Sequence, residues 1–478
     1  MVLTMAQSIK NTFAPINRVP PEILSLIPDY CETEKELIRM THVCRGWREI
    51  FTSCASLWTV LDCTNSHKTN VYIQRSRGAP LEVSLEIRDH TRHHDISFFL
   101  MLPHIVRLKA LTLHGPKDSI LGLIKYLGPS PAPLLKLDIR VYGTHCAAVE
   151  NIFFDRSFSS LRELRLSFVL TDLPWKNLSN LTTFHFEHVQ VTVTQLLDFF
   201  ERAPLLCEIQ LWGSLLSPSN APAERVLSIP RLRSLRINGE PVHSILLNHL
   251  LIPNGAFVRQ EFHPSSTPSI PDYLPRSLDN LGNLSHITSI ILRLDSGIFM
   301  CFKGPSGGLD IVCTWTDSDL DPPELGDQIL RFLNKFRTST TESLEITEYH
   351  VSGHPDIKES GTYQTLLPMN NLRTLTLTRC VIHSFLLALN PNRNASNTVV
   401  CPKLEELVLY TPYSPAIQDG SCIDGLLEMV KERASWGAKL SAIVIDCPSK
   451  FISAEKMLDL RRYASRVEHI PDDSDSDW

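Results

Sequence analysis

The sequence predicts an α/β chain: an N-terminal three-helix module followed by an irregular solenoid of short parallel strands alternating with helices or turns. Three observations predict it. Apolar residues recur at helical spacing between Ile16 and Trp58. A Leu-x-x-Leu-x-Leu pattern then recurs from Leu108 to Ile445. The segments between copies carry short amphipathic stretches that end before Pro or Gly.

The first helix opens at Pro20-Pro21, where a missing N–H costs little. Ile23, Leu24 and Ile27 fall on one side, and Pro28 is expected to stop the turn. A second helix is predicted over Glu34 to Cys44, with Leu37, Met40 and Cys44 at helical spacing. Trp47 and Phe51 continue that stripe, and Gly46 marks a place for a bend. Ile38 and Val43 lie off the stripe, so the apolar surface wraps more than one face. So short a segment could hardly hide all its apolar side chains by itself. A surplus apolar face implies docking.

The segment resembles an F-box. The residues that carry the resemblance are Val-Pro-Pro-Glu-Ile-Leu at 19–24, Met-Thr-x-Val-Cys-x-x-Trp at 40–47, and Leu57-Trp58. Val19 stands where that family usually has Leu, and Pro28-Asp29-Tyr30 also departs from its pattern. The resemblance implies binding to the Skp-type adaptor of a cullin–RING ubiquitin ligase. It carries over Pro20, Ile23, Leu24, Val43, Cys44 and Trp47 as adaptor-binding positions. Read from periodicity alone, the same helices make an ordinary cap on a larger core.

After Trp58 the repeat begins. Its middle apolar residue falls at Leu111, Leu137, Leu164, Phe184, Ile209 and Leu235, then Ile290, Leu344, Leu375, Leu407 and Ile443. The early steps are 26, 27, 20, 25 and 26 residues; two of 55 and 54 follow, close to doubled, then 31, 32 and 36. Such a period fits leucine-rich repeats, each a short strand plus a helix or turn. The unequal steps predict a degenerate array. Helices are expected at 194–202, at 119–127 and from Pro322 through Phe336. A strand pair is expected within 298–316, turned at Gly304 to Gly308, as an insert that interrupts or decorates the solenoid. The predicted organisation is a flexible 1–14, a helical module at 15–62, the repeat array at 63–470 and an acidic, disordered tail at 471–478.

Within each repeat, residues alternating with the apolar ones face outward. Arg165, His185, Gln210, Trp212 and Arg236 form a neighbouring group of that kind, the candidate surface for a target protein. Trp and Arg dominate interface hot spots; the alternative is a solvated strand face. Arg165 and Arg236 are candidates to pair a phosphate. The basic cluster Arg231-Leu-Arg233-Ser-Leu-Arg236 alternates with apolar residues, as on a strand.

Composition excludes other classes. Hydrophobic residues make up 43% of 478 and charged residues 21%, as in globular proteins. A formal charge of −6 argues against a nucleic-acid partner. Twelve cysteines without a Cys-x-x-Cys pair argue for reduced thiols, not a zinc ribbon or disulfide framework. No apolar leader or eighteen-residue apolar run is found, so neither secretion nor a membrane partner is expected, and the cytoplasm or nucleus is. No P-loop, G-x-S-x-G, H-E-x-x-H or dinucleotide fingerprint occurs. The histidine cluster at Asp89, His90, His93, His94 and Asp95 lacks a second cluster and reads as a solvated loop. The expectation is a non-enzymatic adaptor without metal or cofactor. The alternative is a scaffold or inhibitor whose N-terminal helices only cap the array.

Overall fold

A computed structural model describes residues 13–30, 33–87, 93–126, 134–142, 147–148, 159–170, 178–189, 191–213, 216–217, 225–239, 244–262, 275, 277–294, 297–314, 332–348, 359–378, 382–394, 397–410, 421–447, 449 and 452–470. The expected tail at 471–478, the histidine cluster's first members and Pro322 of the expected helix lie outside the described residues. The chain divides into two units, Met1–Val189 and Gln190–Trp478.

The first unit opens with α1 (Pro21–Leu24), α2 (Glu34–Met40) and α3 (Arg45–Ser53). Pro20 takes the N-cap position of α1 and Pro21 its first turn. The predicted helix over Glu34 to Cys44 is shorter than expected. It ends at Met40, and Cys44 at φ −156 and ψ 174 starts α3. Polar groups at Thr41 make the break. Its hydroxyl donates to the Ile38 carbonyl at 2.7 Å, and the Thr41 carbonyl accepts from Arg48 Nε at 3.0 Å. These bonds satisfy groups that a continuing helix would otherwise pair. Gly46, the expected bend, lies inside α3. Pro28 does not end the segment either: it is buried within a 3₁₀ turn over Ile27–Tyr30.

Next come β1 (Val60–Leu61), α4 (Ser66–Ser76), β2 (Leu81–Glu86), α5 (His93–Met101), β3 (Leu108–Pro116), α6 (Lys117–Tyr126), β4 (Lys136–Tyr142), β5 (Glu163–Ser167) and β6 (Thr183–Glu187). The strands pair in chain order, each parallel to the next. Register turns the repeat into rows. Val83, Leu111, Leu137, Leu164 and Phe184 form one inner row, and Leu85, Leu113, Ile139, Leu166 and Phe186 the next. All ten are buried. Each such side chain contributes roughly 1.5–3 kcal/mol of burial.

The second unit contains α7 (Val193–Arg202), β7 (Glu208–Trp212), β8 (Ser234–Gly239), β9 (Phe257–Phe262), β10 (Ser289–Leu294), β11 (Gly297–Lys303) and β12 (Gly308–Thr314). It continues with β13 (Ser343–Glu348), α8 (Glu359–Leu366), β14 (Thr374–Thr378), α9 (Ile382–Leu389), β15 (Glu406–Tyr410), α10 (Ser421–Ser435), β16 (Ala442–Asp446), α11 (Ala454–Tyr463) and β17 (Arg466–Ile470). A capping box opens α7: the Thr192 hydroxyl accepts from Gln195 N at 3.2 Å, and Gln195 accepts from Thr192 N at 2.8 Å.

The sheet runs β7-β8-β9-β12-β11-β10-β13-β14-β15-β16-β17. Every pairing is parallel except β10–β11 and β11–β12. The expected hairpin is therefore two strands of a three-strand meander set into the sheet. The first doubled step also has a cause. β9 occupies it, but Gln260 stands in register with Ile237, at a slot the pattern reserves for an aliphatic residue. Gln260 is fully buried, and neither side-chain polar atom has a hydrogen-bond partner. Together the units are a mixed α/β chain with an N-terminal helical region and parallel-rich sheets.

Candidate functional site

The N-terminal helices bury little and expose much. Ile23 is 53% exposed, Val43 56% and Tyr30 88%; Phe13, Ile16, Leu26 and Ile38 are exposed as well. Single exposed apolar residues are ordinary, but seven between positions 13 and 43 are a high concentration for so short a stretch. Of the expected adaptor positions, Pro20, Ile23 and Val43 lie exposed in it. Cys44 and Trp47 are half-buried, and Leu24 is buried at 2% exposure, where it holds the module together. Phe13, Ile16, Leu26 and Tyr30 were not singled out from the sequence, because none sits on a helical stripe.

Aromatic residues anchor this surface from beneath. Trp47 donates its indole N–H to Asn17 Oδ1 at 2.7 Å and meets Phe51 edge-on at 5.4 Å. Trp58, fully buried, donates to the Phe51 carbonyl at 2.8 Å. Its ring meets Tyr72 of α4 edge-on at 4.9 Å, and the Arg75 guanidinium lies 4.4 Å from it. Glu34 of α2 accepts from Tyr72 Oη and from Lys68 Nζ, each at 2.5 Å. Lys68 also reaches Asp62 at 2.7 Å. Burial works to raise the Asp62 carboxyl, but Lys68 and the Thr64 hydrogen bonds outweigh it and hold the pKa below its ordinary value. Burial, then Glu34, pushes the Tyr72 phenol up. No sequence motif announces this network, since its members are 34 and 38 residues apart.

The expected target-binding residues fall on the outward strand faces, divided between the units. In the first, register aligns Thr112, Asp138, Arg165 and His185. Arg165 Nε lies 2.7 Å from Glu163 Oε1, close enough for an ion pair but without hydrogen-bond alignment. Burial, then the Arg165 charge, lowers His185 to about 4. Its Nε2 has no hydrogen-bond partner. Asp138, missed from the sequence, is 4% exposed and bonds Arg140 through two 3.0 Å contacts. Burial works to raise its pKa, but His114 and Arg140 outweigh it and hold the carboxyl low. In the second unit, Gln210 and Arg236 are register partners on β7 and β8, and Trp212, 43% exposed, ends β7.

No helix of the described residues is long and apolar enough to cross a membrane. Among them, no group of three or more His, Cys, Asp or Glu is placed to hold a metal ion. Cys63, Cys313 and Cys401 are free thiols, raised by burial to about 12. At neutral pH they stay protonated, so they are poor nucleophiles.

A family model described as F-box-like matches residues 16–64. No curated protein matches the chain. Residues 16–64, with their exposed apolar surface and buried Trp58 anchor, are an F-box-like domain.

Proposed function

We propose that the chain is a non-enzymatic substrate adaptor of a Skp–cullin–F-box type ubiquitin ligase. The F-box-like domain holds the Skp-type adaptor. The strands that follow, read as a degenerate leucine-rich-repeat array, hold a protein to be ubiquitinated. The observation that carries the reading is the set of exposed apolar residues on α1, α2 and their flanking turns, of which all but Phe13 lie inside the residues that match the family. F-box domains in general bind Skp-type adaptors. Tethering raises the effective concentration of a target lysine beside the charged conjugating enzyme, so no residue here need do covalent chemistry. The proposed setting is the cytoplasm or nucleus, in keeping with free thiols.

Ile23→Asp and Val43→Asp place a charge on that surface while leaving the core intact. Each is expected to abolish recovery of a Skp-type adaptor in a pulldown with the full chain. Equal recovery by wild type and both variants sinks the proposal. A second reading has its own support: Trp58 and Tyr72 knit the domain into the core of the first unit, as a structural cap would. It wins if neither the wild type nor the folded aspartate variants recover any adaptor while deletion of the helices unfolds the unit.

A further inference from the structure

The basic cluster Arg231-Leu-Arg233-Ser-Leu-Arg236 belongs to the turn before β8 and to β8 itself. Leu232, Leu235 and Ile237 point into the core, and all three arginines are exposed. Among the described residues no carboxylate comes within ion-pair distance of Arg231, Arg233 or Arg236. Some arginines elsewhere are matched: half-buried Arg225 meets Asp198 at 2.7 Å and Glu201 at 3.0 Å, and exposed Arg373 meets Glu405 at 3.0 Å. On β9, Arg259 stands in register with Arg236, one strand spacing of about 4.8 Å away. Arg259 pairs with Glu261 at 2.5 Å, and Glu261 also accepts from Asn238 at 3.0 Å. The next residue in that row, Asp310, is buried at 7% exposure and so is not an accessible counter-charge.

Arg236 and Arg259 share the outward row, with exposed Arg231 and Arg233 in the turn before β8. The carboxylates of these strands are exposed Glu208, half-buried Glu261, which already pairs Arg259, and buried Asp310. Four guanidinium groups thus stand among three carboxylates in a chain of net charge −6. A local excess of positive charge held on a rigid strand, against the sign of the whole molecule, costs self-repulsion unless a partner relieves it. Gln210 adds a hydrogen-bonding amide beside Arg236, and Trp212 ends the neighbouring strand as an exposed ring.

We propose that this face of the second unit docks an acidic, unmodified polypeptide segment, Asp/Glu-rich and carrying one apolar side chain. Arg236 and Arg259 take its carboxylates, Arg231 and Arg233 steer it, and Trp212 covers the apolar side chain. A protein segment fits better than nucleic acid, because the net charge of −6 opposes a long polyanion whereas four arginines suffice for a short one. The proposal deepens the target-binding half of the reading above and does not depend on the adaptor half.

The test uses the full chain and a fluorescent hexaglutamate peptide carrying a single leucine, followed by anisotropy. Arg236→Gln is expected to weaken binding roughly tenfold, the loss of one charged hydrogen-bonding partner. Arg236→Glu weakens it further, Trp212→Ala weakens it for the leucine peptide more than for plain hexaglutamate, and Lys117→Gln on α6 leaves it unchanged. All binding falls as salt rises. The proposal is overturned if Arg236→Glu binds as wild type, if single-stranded DNA of equal charge binds more tightly, or if only a phosphoserine peptide binds. Adaptor pulldown on the same preparation separates the two ideas. Lost adaptor binding with retained peptide binding removes the ligase reading alone; the reverse removes this one alone.

Discussion

Tyr72 Oη donates a hydrogen bond to Glu34 Oε1 at 2.5 Å, a bond from α4 to α2 across 38 residues of chain. With Lys68 on the same carboxylate, it ties α2 of the apolar docking helices to α4. Glu34→Gln weakens both contacts at once. Because the Glu34 side chain is 38% exposed, solvent screening limits the expected loss to about 1 kcal/mol. The first thermal transition of the full chain is the readout, and an unchanged midpoint would show the tie to be inert.

The same network has an alkaline signature. Tyr72 is raised from an ordinary 10.0 by burial and by Glu34. Lys68 is also raised: burial works against this, but Asp62 and Glu34 outweigh it. A raised folded-state pKa gives stability that is complete below the unfolded value and lost as pH climbs through the folded one. The chain should therefore lose stability above about pH 10, and Tyr72→Phe should shallow that decline. Parallel melting curves at neutral and alkaline pH measure it.

On the acid side the sensitive group is His185. Burial, then Arg165, lowers it from 6.5 to about 4. A depressed pKa gives stability that is full above 6.5 and drains away as pH falls toward 4. His185→Gln should flatten the melting temperature between those limits and leave it unaltered at pH 8. A variant that follows the wild-type curve throughout would refute the assignment.

Gln260 offers a stabilising substitution. Its amide is fully buried between Ile237 and Ile311 in register, with both polar atoms unpaired. Leucine has similar size and no polar atoms to desolvate. Gln260→Leu is expected to raise the stability of the second unit by about 1–3 kcal/mol, seen as a higher denaturant midpoint. A lower midpoint would mean that the amide is satisfied in solution.

Arg433 predicts the opposite sign. It is wholly buried on α10, and its guanidinium donates to the Val400 carbonyl at 2.7 Å and the Cys401 carbonyl at 2.9 Å. Arg433→Met strands both carbonyls and should cost about 3 kcal/mol. Arg433→Lys should recover little, since an ammonium cannot span both acceptors as a planar fork does. Full rescue by lysine in a denaturant titration would contradict this.

Much of the architecture was legible because burial is written in single residues. Leu111, Leu137, Leu164 and Phe184 are register partners as their spacing implied. What escaped follows from other physics. Gln260 breaks the apolar code of β9, so the strand left no trace in the pattern. The stop at Thr41 comes from side-chain and backbone hydrogen bonds that periodicity cannot see. At the docking surface, the F-box resemblance carries over Val43 and Trp47, of which only Trp47 lies on the helical stripe. Tyr30 and Phe13 were not legible, since their exposure is set by turns. The burial of Asp138 is not legible from its alternating strand position, because it depends on Arg140 and His114 arriving from its own and the neighbouring strand.

The meander also sets a timetable. β9 finds its outer partner not in the next strand made but in β12, with Phe257 opposite Gly308. On the ribosome, at about 5–20 residues per second, that edge stays open for roughly 2–10 s while β10 and β11 emerge. For those seconds the growing chain offers an unpaired row of amides and carbonyls to whatever strand, or chaperone, meets it first.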